Sequence, residues 1–405
     1  MKKIMIAVLT ISMSILLGGC QMIQEDNTRP KYIFLMIGDG MGTSHIDVTE
    51  SYISYKAGKL GGEQLTMTQF PYYGSCTTFC ENQTITCSAA AGTAIACGQK
   101  TYYSRLGCDK DYNRLESMAY YLKEDGYKIG ILSSVPINHA TPAAFYSSIK
   151  SRSDGYGIIQ QIPQSGFEFI GGSGIQDMYG KDGKMLKADK YLEERGYQVC
   201  FGEEEFNATA DTCKNIVLCQ YKNRDGEPST YTSVDDDDPT DMSLATMLKL
   251  AIKHLGEDEP FFIMCEGGEI DWYGHSNMTM PMIQSVIKFD EAIAVAYEFY
   301  KQHPDETLIV VTADHETGGI SIGQGESWSN TFIDWTEVEE NWEKGKDRYF
   351  KDAKANREFN EASHIGWTTS YHTGGAVPVY SIGKGADKFA GRIDNTEIKG
   401  KIIGK

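Results

Sequence analysis

Acidic residues and histidines follow directly after apolar runs in three separate parts of the chain. These residues are Asp39 after the first run, Glu266, Asp271 and His275 after the second, and Asp314 and His315 after the third. Carboxylate oxygen and imidazole nitrogen are the ligands that catalytic zinc takes in proteins. A single cluster of this kind arises easily by chance, whereas three together favour a hydrolase that holds more than one metal ion.

Ser88 begins a run of small residues, SAAAGTA, that continues to Gly98. Alanine is the strongest helix former and glycine commonly ends a helix, so the run predicts a helix over 89–96 with Ser88 at or near its N-terminus. The free N–H groups of a helix N-terminus favour anions. Ser88 is therefore either an ordinary helix cap or, beside metal ions that activate its hydroxyl, a nucleophile that attacks a phosphoryl group.

Apolar, β-branched runs predict the buried strands that would carry these residues, at 32–37, 128–133, 261–265 and 308–312. Helical patterns lie between them, including 115–124 and 282–300. This alternation predicts an α/β fold, a three-layer α/β/α sandwich around a central, largely parallel sheet. Ligand sites in such sheets form at the carboxyl ends of the strands, which is where the acidic residues and histidines stand.

Two regions interrupt the alternation of strands and helices. Residues 167–241 are rich in Gly, Asp and Tyr, and residues 324–365 carry aromatic and charged residues without a clear period. We interpret both as insertions or surface subdomains on one catalytic domain that spans 31–405. A chain of 405 residues with 41% apolar content is long enough to bury a large core.

The N-terminus has the pattern of an export signal. Lys2 and Lys3 precede an apolar run over 4–17, which is too short to span a bilayer and predicts a signal peptide over 1–19. The ending LGGC at Cys20 resembles a bacterial lipobox. It implies a lipid on Cys20, a polar tether over 20–30, and an exported protein anchored to a membrane in the periplasm or at the cell surface. The alternative is plain secretory cleavage that leaves Cys20 free.

The net charge of −18 argues against nucleic acid as a partner. A phosphate site in so acidic a chain must draw its positive field from metals, arginine or helix N-termini. Ten cysteines in an exported protein predict some disulfides. Once Cys20 is set aside the number is odd, so at least one cysteine is free or pairs between chains.

Six ordered motifs between about residues 33 and 385 resemble those of bacterial alkaline phosphatases. They are IGDGMG at 37–42, SAAAGTA at 88–94, HATPA at 139–143 with Ser151-Arg152, the segment 266–275, TADH at 312–315 and YHTGG at 371–375. The resemblance implies hydrolysis of small-molecule phosphate monoesters. Related enzymes are often homodimers, so the resemblance makes a homodimer the candidate assembly of this chain.

The resemblance also implies two Zn²⁺ ions and a third metal, Mg²⁺ or Zn²⁺. Carried over position by position, the ligands are Asp271, His275 and His372 for the first zinc, Asp39, Asp314 and His315 for the second zinc, and Asp39, Thr141 and Glu266 for the third metal. The first zinc would activate the water that completes the reaction, and the second would activate Ser88. Ser88 would form a phosphoserine intermediate, while Arg152 grips two phosphate oxygens in a bidentate fork.

Three positions depart from the better-known enzymes. Cys87 stands where those enzymes carry an aspartate that helps to orient the arginine, so it either packs as an inert thiol or leaves Arg152 more mobile. His139 replaces an aspartate near the third metal, which favours zinc over magnesium and predicts a looser magnesium dependence. Trp272 replaces a lysine and either packs or lines the mouth of the substrate pocket; His139 and Trp272 are thus candidate substrate-binding residues.

Other reactions remain as alternatives within the same superfamily. Sulfatases need a modified residue in Cys/Ser-x-Pro-x-Arg, and neither Cys87 nor Ser88 is followed by that Pro and Arg. Phosphodiesterases commonly lack the third-metal ligands and the arginine, which stand here as Thr141, Glu266 and Arg152. A protein that binds metal or phosphate without turnover is a further alternative, and zinc-dependent turnover distinguishes it from an enzyme.

Overall fold

The computed structural model describes residues 29–225, 241–323 and 332–404. The predicted signal peptide over 1–19 and the predicted lipidation at Cys20 lie outside this range. Across these three stretches, none of the helices has both the length and the apolar character that a membrane crossing requires.

Strands occur throughout the described chain. Their bounds are β1 Tyr32–Gly38, β2 Tyr72–Thr77, β3 Lys128–Ser133, β4 Phe169–Gly172, β5 Gln198–Phe201, β6 Ile216–Cys219, β7 Phe261–Gly267, β8 Thr307–Thr312, β9 Glu316–Thr317, β10 Ile320–Ile322, β11 Ile365–Trp367, β12 His372–Thr373, β13 Val377–Gly383 and β14 Gly391–Asp394. The four strands predicted from apolar runs are β1, β3, β7 and β8, and every residue of β1, β7 and β8 is buried.

Helices connect the strands. Their bounds are α1 Thr43–Lys56, α2 Ser88–Cys97, α3 Met118–Glu124, α4 Ala140–Ala143, α5 Gly155–Ile159, α6 Ile162–Ser165, α7 Ala188–Glu193, α8 Glu203–Thr209, α9 Leu244–Leu255, α10 Glu269–Ser276, α11 Thr279–Gln302, α12 Trp335–Tyr349, α13 Ala353–Ala362 and α14 Glu397–Ile403. The predicted helix over 282–300 is α11, and the one over 115–124 begins later, at Met118.

Ten strands form one sheet in the order β14-β2-β13-β8-β1-β7-β3-β4-β6-β5. Neighbouring strands are parallel except at β13, which is antiparallel to both β8 and β2. The helices contact one another in two groups, α1 with α11 and α9 in one, and α2 with α3, α4 and α14 in the other. The predicted α/β/α sandwich with a largely parallel sheet is therefore confirmed.

The register of the central strands brings the acidic positions to one edge of the sheet. Ile37 of β1 lies beside Glu266 of β7 on one side and beside Thr312 of β8 on the other. Ser133 at the end of β3 also lies beside Glu266. The loops that follow these strands consequently leave the sheet together, as expected for a parallel α/β fold.

The structure does not support the interpretation of residues 167–241 as a surface insertion. This region contributes β4, β6 and β5, which continue the central sheet from β3 to its edge. The three strands have only four residues each. Pairing of β4 with β3, of β6 with β4 and of β5 with β6 places them in the sheet. In the second interrupted region, α12 and α13 pack on each other, and α12 contacts α1 outside the sheet.

The cysteines also differ from expectation. All nine cysteines in the described ranges are free, and all except Cys213 are buried. The prediction of disulfides is therefore wrong for these nine. Buried thiols of this kind pack as small apolar side chains.

Candidate active site

The loop after β1 brings Asp39 against the helix that follows β7. Gly40 has a φ of +72°, and a Cβ atom at this position would lie 2.8 Å from the Cα of Asp271. Only glycine combines this backbone conformation with so close an approach. The sequence Gly-Asp-Gly therefore places the Asp39 carboxylate near the Asp271 carboxylate.

Asp271, His275 and His372 form the first of three groups in the described residues that could hold a metal ion, and we name it the outer cluster. Asp271 and His275 are one turn apart on α10, so they share a face of the helix. His372 comes from the short strand β12. The Nε2 atoms of both histidines lie 3.5 Å from oxygens of Asp271.

The hydrogen bonds of the two outer histidines fix the tautomer of each neutral ring. The Nδ1 atom of His275 lies 2.8 Å from the carbonyl oxygen of Ser370, and that of His372 lies 2.8 Å from the carbonyl oxygen of Thr86. A carbonyl oxygen only accepts, so each Nδ1 carries the proton. The two Nε2 lone pairs then face each other across 3.1 Å, an arrangement that a shared cation would stabilise.

Asp39, Asp271 and His315 form the second group, the middle cluster. The Nε2 atom of His315 lies 3.5 Å from Oδ1 of Asp39 and 3.2 Å from Oδ2 of Asp314. His315 and Asp314 follow β8 directly and are fully buried. Three carboxylates therefore surround one imidazole at the end of the sheet.

Asp39, His139 and Glu266 form the third group, the inner cluster. The Nδ1 atom of His139 lies 3.2 Å from Oε1 of Glu266 and 3.8 Å from Oδ2 of Asp39. The hydroxyl of Thr141 donates to Oδ2 of Asp39 at 3.1 Å, and the hydroxyl of Ser133 donates to Glu266. Asp39 thus belongs to both the middle and the inner cluster.

Ser88 is the first residue of α2, and Cys87 occupies the capping position. The Cys87 side chain makes no capping hydrogen bond, and the Oγ atom of Ser88, one residue inside the helix, lies 3.2 Å from Nε2 of His315. At the other end of α2, Gly98 has the left-handed conformation that commonly terminates a helix. The predicted helix is confirmed, and the Ser88 hydroxyl points at the middle cluster rather than capping the helix.

Arg152 lies on the loop between α4 and α5 and reaches the same hydroxyl. Its Nη1 atom donates to Oγ of Ser88 at 3.2 Å, and its Nη2 atom lies 2.8 Å from Nε2 of His139. A guanidinium group and a helix N-terminus thus meet at Ser88. Both features favour an anion, so they offer the local positive field that a phosphate group needs in this acidic chain.

Burial shifts the acid–base equilibria of the site. It raises the pKa of Asp39 well above its usual value, with Asp314 and Asp271 adding to the effect. It also raises the pKa of Asp314 to about 8, again with Asp271 contributing. The pKa of His315 is well below its usual value because of burial and the neighbouring His372. Neutral imidazole is the form that binds a metal.

The donor set fits metal ions. Oδ1 of Asp39 and Oδ2 of Asp314 are buried and have no hydrogen-bond partner in the described part of the chain. Buried carboxylate oxygens without partners are costly unless a cation or proton compensates them. Together with the facing lone pairs of the outer cluster, they indicate a site for more than one metal ion.

The structure brings together all the predicted site residues that lie in the described ranges. Trp272 is half-buried, and its ring lies edge-on to that of His139 with centroids 6.0 Å apart. Thr317 was not among the predicted residues; its hydroxyl donates to Oδ1 of Asp271 at 2.5 Å and lies 3.2 Å from Nδ1 of His315. Its spacing of two from His315 along an extended segment is the signal that could have identified it.

Comparison with known proteins agrees with this geometry. The family model described as alkaline phosphatase matches residues 30–403. Alkaline phosphatase 3 of Bacillus subtilis is 32% identical, and the alignment covers 92% of this chain and 88% of that protein.

Solved structures of bacterial enzymes are also similar. The alkaline phosphatase of the Antarctic bacterium TAB5 superposes with a TM-score of 0.74 at 27% identity, covering 93% of this chain and 97% of that one. The cold-active alkaline phosphatase of a Shewanella species gives a TM-score of 0.76 at 25% identity, covering 92% of this chain and 98% of that one. Two variants of the TAB5 enzyme, with a histidine replaced by glutamate or aspartate, have Mg bound in the M3 site. The chain described here belongs to the alkaline phosphatase family and is a phosphatase.

Proposed function

We propose that this phosphatase is an exported enzyme that hydrolyses phosphate monoesters through a phosphoserine at Ser88. The observation that carries the proposal is the position of the Ser88 hydroxyl. It lies 3.2 Å from both Arg152 and His315, at the N-terminus of a buried helix. A nucleophile beside a metal cluster, with positive groups placed to hold a phosphoryl group, is the arrangement that this chemistry requires.

We propose the ligand sets that the resemblance implies, and the three clusters support them because each set shares at least two residues with one cluster. Asp271, His275 and His372 would hold one Zn²⁺, Asp39, Asp314 and His315 a second Zn²⁺, and Asp39, Thr141 and Glu266 a third metal. When bound, these ions would lower the pKa of coordinated oxygen nucleophiles and neutralise negative charge on the entering and leaving oxygens. The unpartnered oxygens of Asp39 and Asp314 support the second set.

The reaction divides into two displacements at phosphorus. In the first, Oγ of Ser88 bonds to phosphorus while the bond to the ester oxygen breaks, and the alcohol departs with a proton. In the second, water attacks the phosphoserine, inorganic phosphate leaves, and the Ser88 hydroxyl is restored. Arg152 and the N–H groups of α2 hold the non-bridging oxygens through both steps.

The positive groups favour monoesters over diesters. A monoester carries one more negative oxygen than a diester, and Arg152 offers two donors to such oxygens. A third metal held by Thr141 and Glu266 would add further positive charge to offset the negative oxygens of a monoester. The outer cluster supports broad specificity, because the side chain of His275 is 37% exposed and leaves room for varied alcohols.

The third metal is magnesium or zinc. The inner cluster offers oxygen atoms from Asp39, Thr141 and Glu266, which suit Mg²⁺, and Nδ1 of His139, which suits Zn²⁺. Variants of the TAB5 enzyme in which a histidine is replaced by glutamate or aspartate have Mg bound in the M3 site, which supports the preference of oxygen donors for Mg²⁺. We expect His139→Asp to increase activation by magnesium.

The N-terminal pattern and the fold suggest how the enzyme is organised. We propose a signal peptide over 1–19, a lipid on Cys20, a tether over 20–30 and a catalytic domain over 31–405, held at a membrane in the periplasm or at the cell surface. Residues 324–365 would form an insertion on this domain. The packing of α12 and α13 outside the central sheet supports that interpretation.

The test is turnover by the purified chain without residues 1–20. An aryl phosphate, an aryl sulfate and a phosphodiester are each offered with and without zinc, beside Ser88→Ala and the control Ser75→Ala in strand β2. The proposal predicts zinc-dependent hydrolysis of the monoester that Ser88→Ala abolishes and Ser75→Ala retains. Turnover of the sulfate or diester alone would overturn the substrate class, and no turnover would favour a binding protein.

A further inference from the structure

A cavity lies beside the outer cluster and shares His275 with it, and we name it the side cavity. Its volume is about 680 Å³, which is within the range of cavities that bind small molecules. Both His275 and Ser370 line it, and the carbonyl oxygen of Ser370 lies 2.8 Å from Nδ1 of His275. Much of the remaining wall comes from residues 349–365, in the region interpreted as an insertion. The insertion thus borders the exposed side of the outer cluster.

Amide side chains of α13 hold the walls of the side cavity in place. Asn356 is 2% exposed and Asn360 is 4% exposed. Their Nδ2 atoms donate to the carbonyl oxygen of Asn277, at 3.0 and 2.9 Å respectively. Asn277 caps the C-terminus of α10, the helix that carries Asp271 and His275. A ligand therefore meets walls that are already fixed to the metal-binding helix, and its binding does not have to order them.

The walls of the side cavity carry two cations, Lys351 and Arg357. In the described part of the chain neither forms an ion pair, whereas Lys354, on the same helix as Arg357 but outside the wall, pairs with Glu358 at 3.7 Å. Among the described wall residues Glu361 is the single carboxylate. In a chain with a net charge of −18, two unpaired cations beside one carboxylate make this cavity a local positive region.

We propose that the side cavity binds the alcohol part of phosphate monoesters that carry a second negative group, with Arg357 and Lys351 as the specificity-determining residues. The two cations would hold that group, while the carbon skeleton packs on Tyr349 and Phe350, which also line the cavity. The inference rests on the proposed function, since it takes the outer cluster as the point from which the alcohol leaves. Varied alcohols are still accepted, and those with a second negative group are preferred.

The experiment measures kcat/KM of the zinc-loaded mature protein for matched esters. Phosphate monoesters of ω-hydroxy carboxylic acids of increasing chain length are paired with those of the corresponding amides. Because the acidic chain repels anions, the carboxylate would be the poorer substrate if no cation site were present. We expect the carboxylate to be about threefold to tenfold better than its amide at the chain length that reaches the cations, as for a partly solvated ion pair. This advantage should shrink as the salt concentration rises.

A second series identifies the negative group. Bisphosphates of alkanediols are compared, per phosphate group, with the monophosphates of the same diols. An advantage in both series supports a site for anions in general, and an advantage in one series alone identifies the preferred group as a carboxylate or a phosphate.

Three variants locate the preference. Arg357→Gln and Lys351→Gln each remove one cation from the cavity wall, and Lys354→Gln makes the same charge change outside it. The ratio of kcat/KM for the carboxylate to that for the amide should fall in the first two variants and be retained in Lys354→Gln. A ratio at or below one for both series in the unaltered protein, or an equal fall in all three variants, would overturn the inference while the amides are still hydrolysed. Absence of zinc-dependent hydrolysis of every ester would instead contradict the proposed function.

Discussion

The outer and inner clusters use the same donor types in different surroundings. In the outer cluster the side chain of His275 is 37% exposed and that of His372 is 10% exposed. In the inner cluster Asp39 and Glu266 are fully buried and His139 is 6% exposed. Solvent can therefore reach the outer cluster, where the proposed reaction requires an alcohol to leave and water to enter. The inner cluster is shielded, which suits a fixed charge that orients its neighbours.

The two clusters also differ in how the chain assembles them. The outer cluster takes Asp271 and His275 from one helix, so two of its ligands are fixed by local structure. The inner cluster takes its residues from the ends of β1 and β7 and from the N-terminal cap of α4. Its geometry consequently depends on the register of the sheet. Substitution of residues that two clusters share, or that connect two clusters, should therefore show what each cluster contributes.

The largest effect is expected for Asp39→Ala, because Asp39 belongs to both the middle and the inner cluster. We expect kcat to fall roughly a thousandfold, since charge neutralisation by bound metal contributes several kcal/mol to the transition state. Metal content measured by mass spectrometry should fall by more than one ion per chain. Asp111→Ala, on an exposed turn, serves as the control. A variant that keeps its full metal content and rate would contradict the shared role of Asp39.

An intermediate effect is expected for Thr317→Val, which removes a hydroxyl at nearly constant volume. This hydroxyl donates to Asp271 and lies beside Nδ1 of His315, so it joins the outer and middle clusters. We expect metal affinity to fall about tenfold to a hundredfold, as is common when a supporting hydrogen bond is lost. Competition with a chelator measures the change, and Thr317→Ser should restore most of the affinity. Equal affinities in the valine and serine variants would show that only packing matters.

The smallest effect is expected for Cys87→Asp, which introduces a carboxylate near Arg152. At present the Sγ atom of Cys87 accepts from the backbone N–H of Ser104, and the carbonyl of Ser104 accepts from the backbone N–H of Arg152. A carboxylate should hold the guanidinium group more firmly and strengthen inhibition by phosphate about threefold, the size of one weak ion pair. Cys87→Ala controls for loss of the thiol. Unchanged phosphate inhibition in Cys87→Asp would remove any role for this position in orienting the arginine.

The sequence predicted the central part of the fold and site because the signals there are local. Long apolar runs identify β1, β7 and β8, and parallel pairing brings Asp39, Glu266 and Asp314 to one edge of the sheet. The spacing of Asp271 and His275 fits one helical face. These residues could be associated before any resemblance was considered.

Other features depend on tertiary contacts that a local pattern does not contain. His372 and Arg152 come from a two-residue strand and a loop, so only the resemblance to known enzymes connected them with the site. Strands β4, β5 and β6 were missed because four-residue strands lack a long apolar run. Thr317 was missed because its one signal, a spacing of two from His315, is weak without knowledge of the hydrogen bonds that its hydroxyl makes.

The central claim is that Ser88, between the clusters, carries the phosphoryl group during turnover. The most direct test mixes enzyme with an aryl phosphate, quenches the reaction in acid and identifies the modified peptide by mass spectrometry. The account predicts one added phosphoryl group on Ser88, and none in Ser88→Ala under the same conditions. The account would be contradicted if another residue carried the phosphoryl group during turnover. It would also be contradicted if an intermediate accumulated in which Ser88 was not phosphorylated.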